Sequence, residues 1–368
     1  MRSVLPTSCL SAVPEDVEGT VPSSPPKGAE LSFSRSYTEC FDDRFMVETS
    51  DLNINVYSKG TFDQMPLFFC IHGAGFSGLS FGPLVQRIAS EVYCVAPDLR
   101  GHGLTVQKDG STTPGADLTV ERFLDDAQAV IKDIFDNRFT PKENASDKRT
   151  LILCGHSLGG SLAAKLAARL QADYDVPLCI LIDITESVAI GAIPNMSTVI
   201  RKKPTVFNTE AALANWLVAS HTLLNKSAAL FQAPGLIYGK DSETPGKVIA
   251  DLGASGENWK AWFEGLNDCF YTKFQGYRLL FISGMEKLDK DTEIMHMQGR
   301  LAIEVIKGAN HNLHEEKPNE LAFFLIRYLR RMHYTRGLLG KPFNFTSKDP
   351  DEDPIPLNDL RTQFGDPK

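Results

Sequence analysis

One serine lies in a turn whose residue types could perform acyl transfer. Gly155-His-Ser157-Leu-Gly159 has the pattern Gly-x-Ser-x-Gly, directly after the apolar run Thr150–Cys154 and directly before a helix-like run rich in leucine and alanine. In a strand, sharp turn and helix, flanking glycines leave room for a strained serine backbone that exposes its hydroxyl. The pattern predicts Ser157 as a nucleophile; the alternative is an ordinary glycine-rich turn.

A serine hydroxyl is a poor nucleophile at neutral pH, so it needs a base and an acid that orients the base. His311 follows the last strand-like run and precedes the final helix, which is where an α/β-hydrolase fold places its histidine. His311 is therefore the predicted base. His72 and His102 lie in turns, where histidine is more often a structural hydrogen-bonding group. His314 is predicted to be a capping or surface residue.

The acid that would orient His311 has several candidates. Asp183 ends an apolar strand-like run, where a buried carboxylate would be costly without a partner. Glu286, Asp289 and Asp291 follow a later strand-like run, which is where many hydrolases of this fold carry their acid. Spacing alone does not separate Asp183 from Asp289.

The turn His72-Gly-Ala74-Gly75 directly follows the apolar run Leu67–Ile71 and could form half of an oxyanion hole. The backbone N–H groups of Ala74 and Leu158 would then point at the developing oxyanion, each contributing roughly 3 kcal/mol in a site that excludes water. A phosphate-binding loop is the alternative for this glycine-rich turn. We discount it because neither Gly-Lys-Ser/Thr nor G-x-G-x-x-G is present.

Strand-like and helix-like segments alternate around these residues. Alternating apolar positions from Phe45 to Val56 predict a hairpin. The further predicted elements are strands at Leu67–Ile71, Val92–Ala96, Thr150–Cys154, Pro177–Asp183, Arg278–Ser283 and Leu301–Ile306, and helices at Val120–Phe135 and Pro318–Met332. This alternation predicts an α/β fold of the α/β-hydrolase type, with a mostly parallel sheet and helices on both faces.

The alternation is interrupted between about residues 185 and 277, which we interpret as a helical insertion that covers the site. Its aromatic residues, among them Trp216, Trp259 and Trp262, could line a substrate groove, but packing within the insertion's own small core is the favoured interpretation. Residues 1–36 are rich in serine and proline and residues 337–368 in proline and aspartate, so both are predicted to be disordered, flanking a hydrolase domain of residues 37–336.

Composition excludes several function classes. With 368 residues and 42% hydrophobic residues the chain has the composition of a soluble globular protein, and its formal net charge of −8 disfavours nucleic-acid and anionic-membrane partners. The seven cysteines form no C-x-x-C pair, and no signal peptide or bilayer-spanning run is visible. We therefore expect reduced cysteines and a cytosolic or nuclear location.

Taken together, the motifs resemble those of the protein phosphatase methylesterases, over about residues 37–329. The motifs of the insertion and around Asp289 are more specific than those of the general fold. The segments that carry the resemblance include Ile71–Gly75, Asp98–Gly103, Gly155–Gly160, Ile182-Asp183, Glu186, Arg201, Trp262-Phe263, Leu288–Asp291, Met297–Gly299, His311 and His314-Glu315.

The resemblance implies hydrolysis of the methyl ester on the C-terminal leucine of the type 2A protein phosphatase catalytic subunit, which would be the partner. It also implies that Asp183 is the acid. No metal or organic cofactor is expected for this chemistry. Two features depart from the animal members: the acidic loop is only Lys240–Lys247, and the extension after Gly337 has no counterpart. The rivals are a generic small-ester hydrolase and a non-catalytic protein that binds and inhibits the phosphatase.

Overall fold

The computed structural model describes residues 36–61, 66–108, 117–138, 149–238, 246–253 and 255–338, so the predicted N-terminal arm and C-terminal tail lie almost entirely outside the described residues. The strands are β1 (Asp43–Glu48), β2 (Leu52–Lys59), β3 (Leu67–Ile71), β4 (Tyr93–Pro97), β5 (Val106–Gln107), β6 (Thr150–His156), β7 (Asp175–Ile182), β8 (Val206–Phe207), β9 (Ile237–Tyr238), β10 (Gly246–Val248), β11 (Tyr277–Ile282) and β12 (Ala302–Val305). The α-helices are α1 (Gly82–Ile88), α2 (Val120–Asp133), α3 (Leu158–Leu170), α4 (Glu186–Lys202), α5 (Glu210–Ala219), α6 (Lys226–Gln232), α7 (Trp259–Phe263), α8 (Lys290–Met297), α9 (Leu313–Glu316) and α10 (Pro318–Leu338).

The main sheet has the strand order β1-β2-β4-β3-β6-β7-β11-β12, with β5 beside β2. The hairpin β1–β2 is antiparallel, as is the pair β2–β4, whereas β4, β3, β6, β7, β11 and β12 run parallel. The predicted α/β fold with a mostly parallel sheet is therefore confirmed. Parallel strands end at one edge of the sheet, so the loops after β3, β6, β7 and β12 meet there.

The continuous apolar strands are explained by helices on both faces of the sheet. Successive side chains of a strand point to opposite faces. In β3, Leu67 and Phe69 face the core formed with α2 and α3, whereas Phe68 and Cys70 face the core formed with α1 and α10. All five residues of β3 are buried, and each large apolar side chain contributes about 1.5–3 kcal/mol by leaving water.

Two helices end at positions that differ from the prediction. The helix α2 ends at Asp133 because the chain continues as a π-helical turn over Ile134–Arg138. The helix α10 extends beyond the predicted Met332 to Leu338. None of the helices that the structure describes combines the length and the apolar character needed to span a bilayer.

Between β7 and β11 lie α4 to α7 and a small sheet of strand order β8-β10-β9. The helices α5 and α6 share a core of their own. Trp216 packs against this core, but Trp259 and Trp262 belong to the core between the main sheet, α2 and α3, and the Trp262 indole N–H donates to the Leu118 carbonyl oxygen at 2.8 Å. The prediction that all three tryptophans pack within the insertion is therefore wrong for two of them, because α7 packs on α3.

Candidate active site

Ser157 lies in the turn between β6 and α3. Its backbone has φ 53° and ψ −119°, a conformation that a residue with a side chain rarely adopts. The Ser157 N–H donates to the Ile182 carbonyl oxygen at 3.1 Å, which ties the turn to the end of β7. The side chain is half-buried. This strained strand-to-helix turn is the geometry that a nucleophile elbow requires.

Two glycines make this turn possible. A Cβ atom on Gly155 would lie 2.0 Å from the carbonyl oxygen of Gly159, and one on Gly159 would lie 2.0 Å from the carbonyl oxygen of Ile71. No other residue type fits such approaches without moving backbone. Gly155 and Gly159 therefore let the start of α3 pack directly on β6 and on the end of β3.

Asp183 directly follows β7 and is 4% exposed. One carboxylate oxygen, Oδ1, accepts hydrogen bonds from the Ser283 N–H at 2.9 Å and the Ser283 hydroxyl at 3.1 Å. The other oxygen, Oδ2, accepts from His311 Nδ1 at 2.7 Å and from the Lys287 ammonium. Burial would raise the pKa of Asp183, but the hydrogen bond and charge of His311 and the charge of Lys287 outweigh it, so this pKa lies below its usual value.

The other predicted acids lie elsewhere. Asp289 caps α8, because its Oδ1 accepts from the Thr292 N–H at 2.9 Å and from the Thr292 hydroxyl at 2.6 Å. Glu286 and Asp291 are exposed. Within the described part of the chain, the carboxylate hydrogen-bonded to the His311 ring is that of Asp183.

The His311 ring presents one nitrogen to Asp183 and leaves the other available. Since a carboxylate accepts, Nδ1 carries the proton in this pair, and Nε2 is the nitrogen that could take a proton from a nucleophile. The side chain is 39% exposed, so the ring can be reached by a ligand. His156 Nε2 donates to the His311 carbonyl oxygen at 2.9 Å, which anchors the backbone of His311 beside the serine turn.

The predicted oxyanion donors lie at the two loops that flank the serine. Leu158 is the first residue of α3, so its N–H has no acceptor within the helix. In the loop after β3, the Gly75 N–H donates to His102 Nε2 at 3.0 Å and the Phe76 N–H to the Gly73 carbonyl oxygen at 3.2 Å. Among the described residues, the Ala74 N–H donates to no acceptor. Their assignment to an oxyanion hole remains a prediction.

Comparison with known proteins places this geometry in a family. The family model described as "Alpha/beta hydrolase family" matches residues 68–322. The "Protein phosphatase methylesterase 1" of Candida albicans is 32% identical over 75% of this chain and 71% of its own length. The protein of the same name from Cryptococcus neoformans is 32% identical over 74% of this chain, which spans 65% of that relative's length.

The chain belongs to the protein phosphatase methylesterase family of α/β hydrolases.

Solved structures support the fold. The crystal structure of E-2-(acetamidomethylene)succinate hydrolase aligns with a TM-score of 0.61 at 21% identity, covering 78% of this chain and 98% of that one. A thioesterase domain from the curacin biosynthetic pathway aligns with a TM-score of 0.54 at 18% identity, covering 77% of this chain and 98% of that one. At these identities the likeness concerns the fold alone.

In this methylesterase-family chain, Lys287 is a site residue that sequence analysis missed. It is 9% exposed, and its ammonium is hydrogen-bonded to the same Asp183 oxygen that accepts from His311. The Thr185 hydroxyl donates to the Lys287 carbonyl oxygen at 2.9 Å and so holds the backbone of the lysine. Lys287 lies in a strongly charged run that is typical of a solvated surface, so nothing in its local sequence marks it as buried.

The loop that carries His311 is hydrogen-bonded to the insertion. The Asn312 side-chain amide donates to the Thr222 carbonyl oxygen at 2.7 Å. The Glu316 carboxylate accepts from the Leu224 N–H at 3.0 Å and from the Asn310 N–H at 2.6 Å. The position of the base therefore depends on a segment of the insertion that lies some ninety residues earlier in the chain.

The prediction for His314 is wrong. This residue is fully buried, and its ring lies 4.6 Å from the rings of both Phe81 and His156. Burial lowers the pKa of His314 to about 3, so the ring is neutral. The short helix α9 places the His314 ring between Phe81 and His156, beside the serine turn. The ring packs there in the interior and does not cap a helix.

The histidines predicted to be structural are buried and hydrogen-bonded. His72 Nε2 accepts from the Leu99 N–H at 2.9 Å, and its Nδ1 donates to the Gly73 carbonyl oxygen at 2.8 Å. His102 Nδ1 donates to the Arg100 carbonyl oxygen at 2.9 Å. Both rings fix the shape of the loop after β3.

Proposed function

We propose that this chain is a serine carboxylesterase that removes the methyl group from the C-terminal leucine methyl ester of the type 2A protein phosphatase catalytic subunit. The observation that carries the proposal is the hydrogen bond between His311 and Asp183, beside the strained turn of Ser157, in a chain of the methylesterase family. The printed name of the relatives supports a protein phosphatase as the substrate.

The first half of the reaction forms an acyl-enzyme. Ser157 Oγ attacks the ester carbonyl carbon while His311 Nε2 takes its proton, and the N–H groups of Ala74 and Leu158 bind the resulting oxyanion. Collapse of this intermediate breaks the bond to the methoxy group, which leaves as methanol with the proton from His311. Asp183 holds the ring in the required tautomer and stabilises the imidazolium.

The second half releases the product. A water molecule attacks the acyl carbon as His311 takes one of its protons, and the second tetrahedral intermediate collapses with return of that proton to Ser157. The phosphatase then carries a free C-terminal carboxylate. The restored negative charge changes which subunits can bind that C-terminus.

We propose that the chain acts in the cytosol or nucleus, where it would encounter its phosphatase substrate. Free thiols suit a reducing compartment. Among the described residues they are present at Cys70, Cys94, Cys154, Cys179 and Cys269.

The test is release of methanol from C-terminally methylated phosphatase catalytic subunit, measured with the wild-type chain and with Ser157→Ala. We expect the rate of the variant to fall by at least about 10³-fold, because no acyl-enzyme can form without the Ser157 hydroxyl. The oxyanion donors remain in the variant and would account for any residual rate. A simple aryl ester is run beside it as a comparison substrate.

Rapid demethylation with poor turnover of the aryl ester supports the proposed substrate. Fast aryl-ester hydrolysis with an untouched methylated subunit would instead identify a general esterase. A chain that binds the phosphatase but hydrolyses neither ester would be a binding protein, and the proposal would be wrong.

A further inference from the structure

Lys203 lies beside the loop that contains the proposed oxyanion donor Ala74. It is the residue at the C-terminal end of α4, where its N–H donates to the Ile200 carbonyl oxygen at 3.1 Å. Its side chain turns toward the main sheet, because the ammonium nitrogen lies 3.9 Å from the position that a Cβ atom on Gly75 would occupy. The insertion thus places the Lys203 ammonium beside Gly75, the residue that follows Ala74.

Among the described residues, the Lys203 ammonium has no hydrogen-bond or ion-pair partner. The side chain is nevertheless half-buried. Burial alone lowers its pKa to about 8. Another half-buried lysine, Lys165, is different, because its ammonium donates to the Ser161 hydroxyl and to the Trp262 carbonyl oxygen, each at 2.8 Å.

The groups that the described residues place near Lys203 carry no negative charge. The His102 ring accepts from the Gly75 N–H, and burial with the charge of Lys203 lowers the pKa of His102 to about 4, so this ring is uncharged at neutral pH. The Leu252 side chain, 3.0 Å from the same Cβ position on Gly75, is apolar. A half-buried cation without a counter-charge is costly, and an anionic ligand would remove that cost.

An ordinary explanation exists for a lysine at this position in the chain. A cation at the C-terminus of a helix interacts favourably with the helix dipole, by at most about 1 kcal/mol at an exposed site. That interaction is with the end of α4, and it gives no reason for the ammonium to lie beside Gly75.

We propose that Lys203 forms a carboxylate-binding subsite next to the oxyanion loop. The inference rests on the proposed function in one respect: ester hydrolysis at this loop generates a carboxylate on the carbon that the oxyanion donors surround. The carboxylate has two possible sources, namely the C-terminus of the product and an acidic side chain just before the ester. Binding of the first would retain the product, and binding of the second would select the substrate.

The experiment measures binding by calorimetry in a Ser157→Ala background, so it needs no turnover and is independent of methanol release. One pair of peptides ends in leucine as the free acid or as the amide. A second pair, both amides, carries glutamate or glutamine before that leucine. Each pair is titrated into Ser157→Ala, Ser157→Ala/Lys203→Met and Ser157→Ala/Lys247→Met. Lys247 is an exposed lysine of β10 and provides the matched loss of charge.

We expect the anionic member of one pair to bind about tenfold more tightly, as one charge-assisted hydrogen bond would produce, and this preference to vanish with Lys203→Met but not with Lys247→Met. Lys203→Arg retains the charge and should keep most of the preference. The preference should also weaken above pH 8 as Lys203 loses its proton.

The peptide pair that shows this preference identifies the source of the carboxylate. Equal affinities within both pairs, no measurable binding of either acid, or a preference that survives Lys203→Met would overturn the proposal.

Discussion

Two buried aspartates at the same edge of the sheet have pKa values that are shifted in opposite directions. Asp98 follows β4, is fully buried, and accepts hydrogen bonds from the Gly78 N–H, the Asn55 amide and the Leu104 N–H. Burial outweighs these neutral donors and raises its pKa to about 6. Asp183 follows β7 and is also buried, yet its pKa is lowered, because His311 and Lys287 bring positive charge to its carboxylate.

The difference shows what an ionised buried carboxylate requires. Neutral donors satisfy the oxygens but do not fully replace water around the charge, whereas a cation at hydrogen-bonding distance does. Asp98 accordingly accepts hydrogen bonds from three separate segments and fixes the turn that follows β4. Asp183 is held as an anion that can orient an imidazole. Three substitutions probe this contrast.

The largest effect is expected from Asp183→Asn. An asparagine cannot hold His311 in the tautomer that leaves Nε2 unprotonated, so kcat for ester hydrolysis should fall about 10⁴-fold. Stability should fall as well, because the Lys287 ammonium loses its anionic partner. Asp289→Asn is the control, since it removes a buried carboxylate that caps α8. If steady-state kinetics show equal losses in both variants, Asp183 does not orient the base.

A smaller effect, on stability, is expected from Asp98→Asn. The folded-state pKa of Asp98 is raised, to about 6, so its contribution to stability is present below the unfolded pKa of about 3.9 and is lost as pH rises through 6. The wild-type advantage in free energy of unfolding should therefore shrink by about 2 kcal/mol between pH 4 and pH 7.

Urea unfolding of both proteins across this pH range measures that change. The lowered pKa of Asp183 predicts the opposite sign for that residue: its contribution is present above the unfolded pKa and is lost as pH falls through the folded one. Parallel pH profiles for Asp98→Asn and the wild type would show that burial does not perturb Asp98.

The smallest effect is expected from Lys287→Met. The charge of Lys287 is one of the groups that lower the pKa of Asp183. Removing it should raise that pKa and move the acid limb of kcat/KM to higher pH, by at most about one pH unit. Lys287→Arg should restore the limb, and Lys290→Met, which removes an exposed lysine, should leave it in place. A limb that stays unchanged while stability falls would limit Lys287 to a structural role.

The elements of the fold could be predicted because their signals are local. The run Leu67–Ile71 is apolar throughout, which indicates a strand covered on both faces, and the glycines around Ser157 indicate a sharp turn. Helix ends were less predictable. The residues after Asp133 form a π-helical turn in which Ile134 and Phe135 are buried. The helix α10 extends to Leu338. Helix ends are the least certain part of an assignment from sequence.

The partners of polar side chains could not be predicted in this way. Asp183 and Asp289 both come after a strand-like run, and their roles differ because His311, 128 residues from Asp183, folds back to one of them. His314 resembles a surface residue in sequence but is buried against Phe81, and Lys203 and Lys287 both occur in charged runs.

The sequence by itself therefore determined the alternation of strands and helices, the sheet type and the serine turn, because hydrophobic periodicity and glycine stereochemistry act over a few residues. Tertiary structure decided which acid meets His311, which spacing left open, and also which histidine is buried and which lysine is paired. Those outcomes depend on burial and charge between segments that are distant in the chain, and desolvation is a property of the assembled fold and not of the local sequence.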